Sequence, residues 1–120
     1  MPFRDTLRSI VESVEGSVGA VIMGYDGIAI DEHVREDCPF DVQILAVEYA
    51  SVLKEIKKTV DVLKSGELEE VSIATGLCRV IVRAINDEFF IALVMSRDGN
   101  YGKGRYLVKR EAPVLLEGLQ

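Results

Sequence analysis

Histidine, cysteine and proline are all scarce in this chain: one histidine, two cysteines and three prolines. His33 stands among acids in "DEHV". It reads as a surface histidine at a strand end rather than a base or ligand. Cys38 and Cys78 lie far apart and form no C-x-x-C pair. With one histidine beside them, the usual zinc sets cannot assemble within one chain. Each cysteine reads as a small buried residue or a free thiol. No G-x-S-x-G is present, so a Ser-His-Asp triad has no nucleophile elbow. Long apolar stretches are missing too. The longest run is "FFIALVM", far short of a bilayer crossing, and "MPFRDTLRSI" has no signal-peptide core. A cytoplasmic protein without a membrane partner is expected. Basic residues are outnumbered, 14 against 20, giving a formal charge of −6. That balance repels nucleic-acid phosphates and anionic membranes. The acid pairs Asp31-Glu32, Glu36-Asp37, Glu69-Glu70 and Asp87-Glu88 fall at turns and strand ends, and nothing singles out one of them. No catalytic residue, metal ligand or cofactor site is assigned, and no enzymatic activity is expected.

What is present is a regular pattern over 120 residues, 48% of them apolar, with no repeat or linker. One domain spanning 1–120 is expected. Phe3, Leu7, Ile10, Val11 and Val14 form a helical stripe that Gly16 should end. Two β-type runs flank Asp26-Gly27, a hairpin signal. A long helix is expected over 41–64, capped by Asp41 and ended by Ser65-Gly66. "LEEVSIATG" alternates as a half-buried strand. "CRVIVRAI" places Arg79, Ile81 and Arg83 on one face and Cys78, Val80, Val82 and Ala84 on the other. "FFIALVM" is apolar on both faces and belongs in the middle of a sheet. Tyr106, Leu107, Leu115, Leu116 and Leu119 mark a last helix, which Pro113 should kink or restart. The order α-β-β-α-β-β-β-α gives an α/β (α+β) fold: one five-stranded antiparallel sheet with helices on both faces.

"SRDGNYGKGR" has the look of a phosphate loop, since glycines open a helix after a strand. Neither known spacing fits. Gly99, Gly102 and Gly104 are too close for a Walker loop, and Lys103 is not followed by Ser or Thr. The dinucleotide order is reversed, with no acid about twenty positions on. The glycines read as a turn, giving positive φ or close helix packing. Lys103, Arg105, Lys109 and Arg110 make a basic patch, either a solvated helix face or a contact for an acidic partner. A small-ligand site at this corner stays open as a rival.

The long helix carries more information. Val42, Leu45, Ala46, Tyr49, Leu53, Ile56, Val60 and Leu63 form one stripe, enough to cover a small sheet. Ile44, Val47 and Val62 fall on the opposite side, beside Ser51, Glu55 and Lys58. A helix lying on a sheet should be polar there, so this line suggests a covered surface. The third strand is short and begins with charges. It reads either as an edge protected by charge or as one that pairs with its own copy in a two-fold dimer.

This order resembles the Roadblock family, which includes Roadblock-type dynein light chains and bacterial MglB-like proteins. The likeness rests on "GAVIMGYDGIAID" as the first hairpin and "ALVMSRDGNYGKGRYLVKREAPVLLEGL" as the last strand, glycine corner and helix. It implies a profilin-like sheet of order 2-1-5-4-3, with the second helix on one face and the terminal helices on the other. It implies a homodimer with third strands paired through Val71, Ser72, Ile73, Ala74 and Thr75 and second helices side by side. It also implies a non-enzymatic regulator of a small Ras-like GTPase of the MglA type, with GTPase activation as one form of that role. Ile44, Val47, Ser51, Glu55, Lys58 and Val62 then serve the dimer, the GTPase, or both. An assembly adaptor that leaves nucleotide turnover unchanged is the alternative. Arg35, Arg79, Arg83, Arg97 and Arg105 all lie off the second helix, which speaks against an arginine inserted in trans.

Overall fold

The computed structural model describes residues 2–120. Its elements are α1 (Pro2–Ser13), β1 (Ser17–Gly24), β2 (Ala29–Val34), α2 (Val42–Leu63), β3 (Glu70–Ala74), β4 (Cys78–Ala84), β5 (Phe89–Ser96) and α3 (Tyr101–Leu119). The strands form one antiparallel sheet of order β2-β1-β5-β4-β3, as expected. Short hairpin turns dictate three of the four antiparallel pairs, and β1 meets β5 across the length of the chain. At the first, Gly27 takes φ +89°, and Gly24 N–H donates to the Ile28 carbonyl at 2.9 Å. Asp41 caps α2, its side chain accepting from Ile44 N–H at 3.0 Å. Lys64 then closes the helix in the left-handed region at φ 53°, with Gly66 following at φ +103°.

Strand alternation divides the interior into two layers. Ile22, Ile81, Ile91, Leu93 and Met95 face α1 and α3, and meet Leu7, Ile10, Val11, Leu107, Val108 and Leu115. Val21, Met23, Val80, Val82, Phe90, Ala92 and Val94 face α2 and meet Val42, Ala46, Ala50 and Leu53. β5 is buried from Phe90 to Met95 because it lies between β1 and β4 with helices over both faces. Arg4 of α1 donates to the buried Asp31 of β2 from Nη2 at 2.7 Å and from Nε at 3.2 Å, tying the first helix to the sheet edge. Burial alone would raise the Asp31 pKa. The Arg4 guanidinium and the Glu32 N–H outweigh it and hold the carboxyl below its ordinary value.

Three expectations are corrected. α3 runs from Tyr101 to Leu119 without restarting at Pro113. Pro113 is exposed, so the carbonyl that it leaves without an intrahelical donor lies on the side of the helix open to solvent. On α2, deep burial ends at Leu53. Val60 is only half-buried and Leu63 is exposed. Gly99, Gly102 and Gly104 do not use positive φ; at two of them the need is space. A Cβ on Gly99 would stand 3.1 Å from both the Glu15 carbonyl and Met95 Sδ. One on Gly104 would stand 2.8 Å from Met95 Cε and 3.0 Å from Ile81 Cδ1.

Candidate functional site

α2 covers the sheet with one face and leaves the other bare. Ile44, Val47 and Val62 are 61%, 40% and 80% exposed, and Ser51, Glu55 and Lys58 lie exposed between them. The six form one ridge opposite Ala46, Ala50 and Leu53. Lys58 Nζ lies 3.8 Å from Glu55 Oε1, both side chains facing water. Such a pair holds little energy. The ridge is therefore an apolar line interrupted by an ion pair and a serine.

The flank of α2 beside that ridge carries a further apolar row. Leu45 and Ile56 are half-buried, whereas Val52 is 51% and Leu63 68% exposed. Val47 Cγ1 approaches Gly27 in the first hairpin, so the opposite flank faces the β3 side of the sheet. Val71 and Ile73 of β3 are half-buried on that same face and pack against its core. Leu45 and Ile56 of α2 therefore pack against the same core as Val71 and Ile73 of β3, with Val52 and Leu63 exposed on the same side of α2. Val52 stands at helical spacing from Leu45 and Ile56, and that spacing is the sequence signal for this row.

β3 pairs with β4 on one side only, so its other edge is open in this chain. Ser72 and Ala74 are exposed; Thr75 lies past the end of the strand. The Thr75 hydroxyl accepts from Leu77 and Cys78 N–H and shapes the β3–β4 turn instead of extending the edge. On the face under α3, a polar cluster fixes the first turns of that helix. Tyr101 donates to Ser72 Oγ at 2.7 Å, and Arg105 meets Glu70 at 2.6 Å. Arg83 stands 4.0 Å from the same carboxylate. The hydrogen bond and charge of Glu70 raise the Arg105 pKa further.

This accounts for the basic corner. Arg105 is engaged by Glu70, Arg110 by Glu111 at 3.3 Å, and Lys103 and Lys109 are exposed. The start of α3 is satisfied internally, since the Asn100 side chain accepts from Lys103 N–H at 3.1 Å. The corner has the build of a packed strand-to-helix joint. A cleft of about 450 Å³ opens elsewhere, between the end of α2 and the β4–β5 turn, with Asp61, Glu67, Glu69 and Asp87 at its rim. Lys57 spans it, donating to the Asp87 carbonyl at 2.6 Å with its Nζ 4.1 Å above the Tyr25 ring. Burial first, and Asp87 second, push the Tyr25 phenol up to about 12. Among the described residues no group of three His, Cys, Asp or Glu side chains could hold a metal.

No family model matches the chain, and no curated protein matches its sequence. The MglC structure from Myxococcus xanthus is 34% identical over 98% of this chain and 99% of its own, with TM-score 0.72. The gliding protein MglB from Thermus thermophilus is 16% identical over 95% of this chain and 85% of its own, with TM-score 0.83. A Roadblock/LC7 domain from Streptomyces avermitilis is 16% identical over 97% of this chain and 98% of its own, with TM-score 0.74. The last two establish the fold. The first carries sequence identity along essentially the whole chain as well, and with it the chain belongs to the Roadblock/MglB-like family.

Proposed function

We propose that this chain is a non-enzymatic, homodimeric regulator of a small Ras-like GTPase of the MglA type. The observation that carries the reading is the exposed apolar ridge of α2, Ile44, Val47 and Val62, on a helix whose opposite face already covers the sheet. A bare line of this kind on a helix is what a protein partner covers. The open edge of β3 and the apolar flank Val52 and Leu63 supply a second, separate surface for self-association. In this reading the two surfaces have separate roles. The flank and β3 join the copies, and the ridge with Ser51, Glu55 and Lys58 faces the GTPase.

Any stimulation of hydrolysis works by ordering the GTPase's own residues. Arg35 is paired with Asp37 at 3.1 Å, Arg83 and Arg105 with Glu70, and Arg79 lies on the α3 face of the sheet. Arg97 sits at the β5–α3 corner, away from the ridge. No arginine lies on α2. Alanine substitution of each arginine, followed by stimulated hydrolysis, tests this. The reading expects changes within a few-fold. A loss of several orders of magnitude at one position refutes it. Partner binding that ignores the nucleotide state and leaves turnover unchanged supports the adaptor instead.

A further inference from the structure

The sheet ends in two edges, and they differ. The β2 edge is defended against pairing. Its register with β1 shifts between Ile22 and Met23, it turns the charged Asp31 inward, and α1 packs against it through Arg4. β3 is also tied to a helix, Glu70 by Arg105 of α3, but its register with β4 runs unbroken from Glu70 to Ala74, which leaves a regular edge. Its backbone polarity can be read from the neighbouring bonds. Thr75 N–H donates to the Cys78 carbonyl and Ala84 N–H to the Glu69 carbonyl, both at 2.9 Å, so odd-numbered positions turn toward β4. Alternation then aims the N–H and C=O of Glu70, Ser72 and Ala74 outward.

We infer that two copies pair their third strands antiparallel with Ser72 opposite Ser72, and that this register brings Glu70 of each copy to Arg79 of the other. The inference rests on the dimer reading above; the register and the ion pair are its own content. In an antiparallel pair, opposed residues share a face of the sheet, so a two-fold axis must pass beside a single residue. Val71, Ser72 and Ile73 are the choices at the centre of β3. Only Ser72 engages the outward groups of Glu70, Ser72 and Ala74 in both copies. It also sets Val71 opposite Ile73 on the α2 face, a β-branched pair of the kind that stabilises sheets.

On the α3 face the same register sets Glu70 of one copy opposite Ala74 of the other. Arg79 is the β4 partner of Ala74. Two strand spacings, about 10 Å, then separate the backbones of the acid and the base, with only a methyl group between them. Their side chains close most of that distance, and the Glu70 carboxylate, whose Oε2 is held by Arg105 of its own copy while Oε1 lies 4.0 Å from Arg83, meets Arg79 through Oε1. Among the described residues Arg79 has no carboxylate partner, and its Nε is buried without a hydrogen bond. Its guanidinium lies 5.2 Å from the Tyr101 ring centre. The unmatched cation and the unpaired edge are explained together by one arrangement.

The test is disulfide trapping in a Cys38→Ser, Cys78→Ala background, with Val71→Cys and Ile73→Cys made singly. In this register Val71 and Ile73 form a non-hydrogen-bonded pair, with Cα atoms about 4.5 Å apart, inside the range that a disulfide spans. A linked dimer is expected only when the two variants are mixed. Linking by Ile73→Cys alone or by Val71→Cys alone places the axis elsewhere and overturns the register. Dimers by light scattering with no linking in any arm put the interface away from β3 and overturn it too. A monomer mass at micromolar concentration is the separate failure, that of the dimer reading itself. For the ion pair, Arg79→Gln is expected to weaken dimerisation several-fold at low salt, with the difference fading at high salt. Unchanged dimerisation of Arg79→Gln at low salt overturns the pair even where the register holds.

Discussion

Two glycines two residues apart in the "GKG" of α3, on nearly opposite sides of the helix, should respond to the same substitution with opposite signs. Replacing glycine by alanine inside a helix stabilises by about 0.5–1 kcal/mol, since it removes backbone freedom from the unfolded chain. Gly102 has nothing within 4 Å of the position that a Cβ would take, so Gly102→Ala should realise that gain. At Gly104 the added carbon meets Met95 Cε at 2.8 Å, Ile81 Cδ1 at 3.0 Å and Leu93 Cδ2 at 3.2 Å. All belong to residues buried in the core beneath α3. Overpacking of such a site costs about 1–3 kcal/mol, which outweighs the propensity gain. Gly104→Ala should therefore lose about 1–2 kcal/mol net. For a chain of this size, each kcal/mol moves Tm by about 3–5 °C. Urea and thermal unfolding of both variants and the wild type, at one protein concentration because self-association couples to stability, read the difference. If both variants shift alike, or Gly104→Ala is the more stable, the packing account of the glycine corner fails.

Asp31→Asn should cost about 1–2 kcal/mol at neutral pH, through the weakened charge-assisted bonds to Arg4 and Glu32 N–H. The folded pKa of Asp31 is lowered, so the folded chain binds fewer protons than the unfolded chain. The stabilisation is complete above about pH 4 and is lost as pH falls through the lowered value; Asp31→Asn should flatten that acid limb in pH-dependent urea titrations. Leu53→Ala empties a fully buried site under α2 and should cost about 2–5 kcal/mol by the same measurement, a smaller loss meaning that the site collapses readily. Tyr25→Phe removes a buried hydroxyl that has no hydrogen-bond partner, so stability should hold or rise by about 1 kcal/mol; a clear loss would reveal a partner. Ile44→Asp and Val47→Asp change exposed side chains and should leave the circular dichroism and melting curve unaltered while weakening partner binding at least tenfold. Unfolding of either would mean that the ridge is rotated into the core.

The sequence made the order of elements legible because each carries its own period. β4 alternates cleanly, and its two sets of side chains enter the two core layers. "FFIALVM" is apolar throughout because both its faces are covered. The ridge of α2 was readable for the same reason: Ile44, Val47 and Val62 break a pattern that otherwise needs only one apolar side. What a period does not carry is where an element stops being covered. Leu63 fits the stripe of Leu53 and Ile56 and is nevertheless exposed, as Val52 is on the same flank. The basic corner was misleading for a related reason. Lys103, Arg105, Lys109 and Arg110 cluster in sequence, but Arg105 finds Glu70 across 35 positions, a pairing that only the β3–α3 packing creates. Pro113 suggests a kink or a restart because local chemistry disfavours it inside a helix, and α3 continues through it without a restart.

The central claim is that a dimer of this fold engages a small GTPase through α2. It is tested most directly by passing native lysate over the immobilised chain in parallel with GDP and with a non-hydrolysable GTP analogue, beside the Val47→Asp variant. The account predicts a small Ras-like GTPase retained in the GTP-like state and lost from the variant. Equal retention in both nucleotide states, retention undiminished by Val47→Asp, or recovery of other proteins without a GTPase would contradict it.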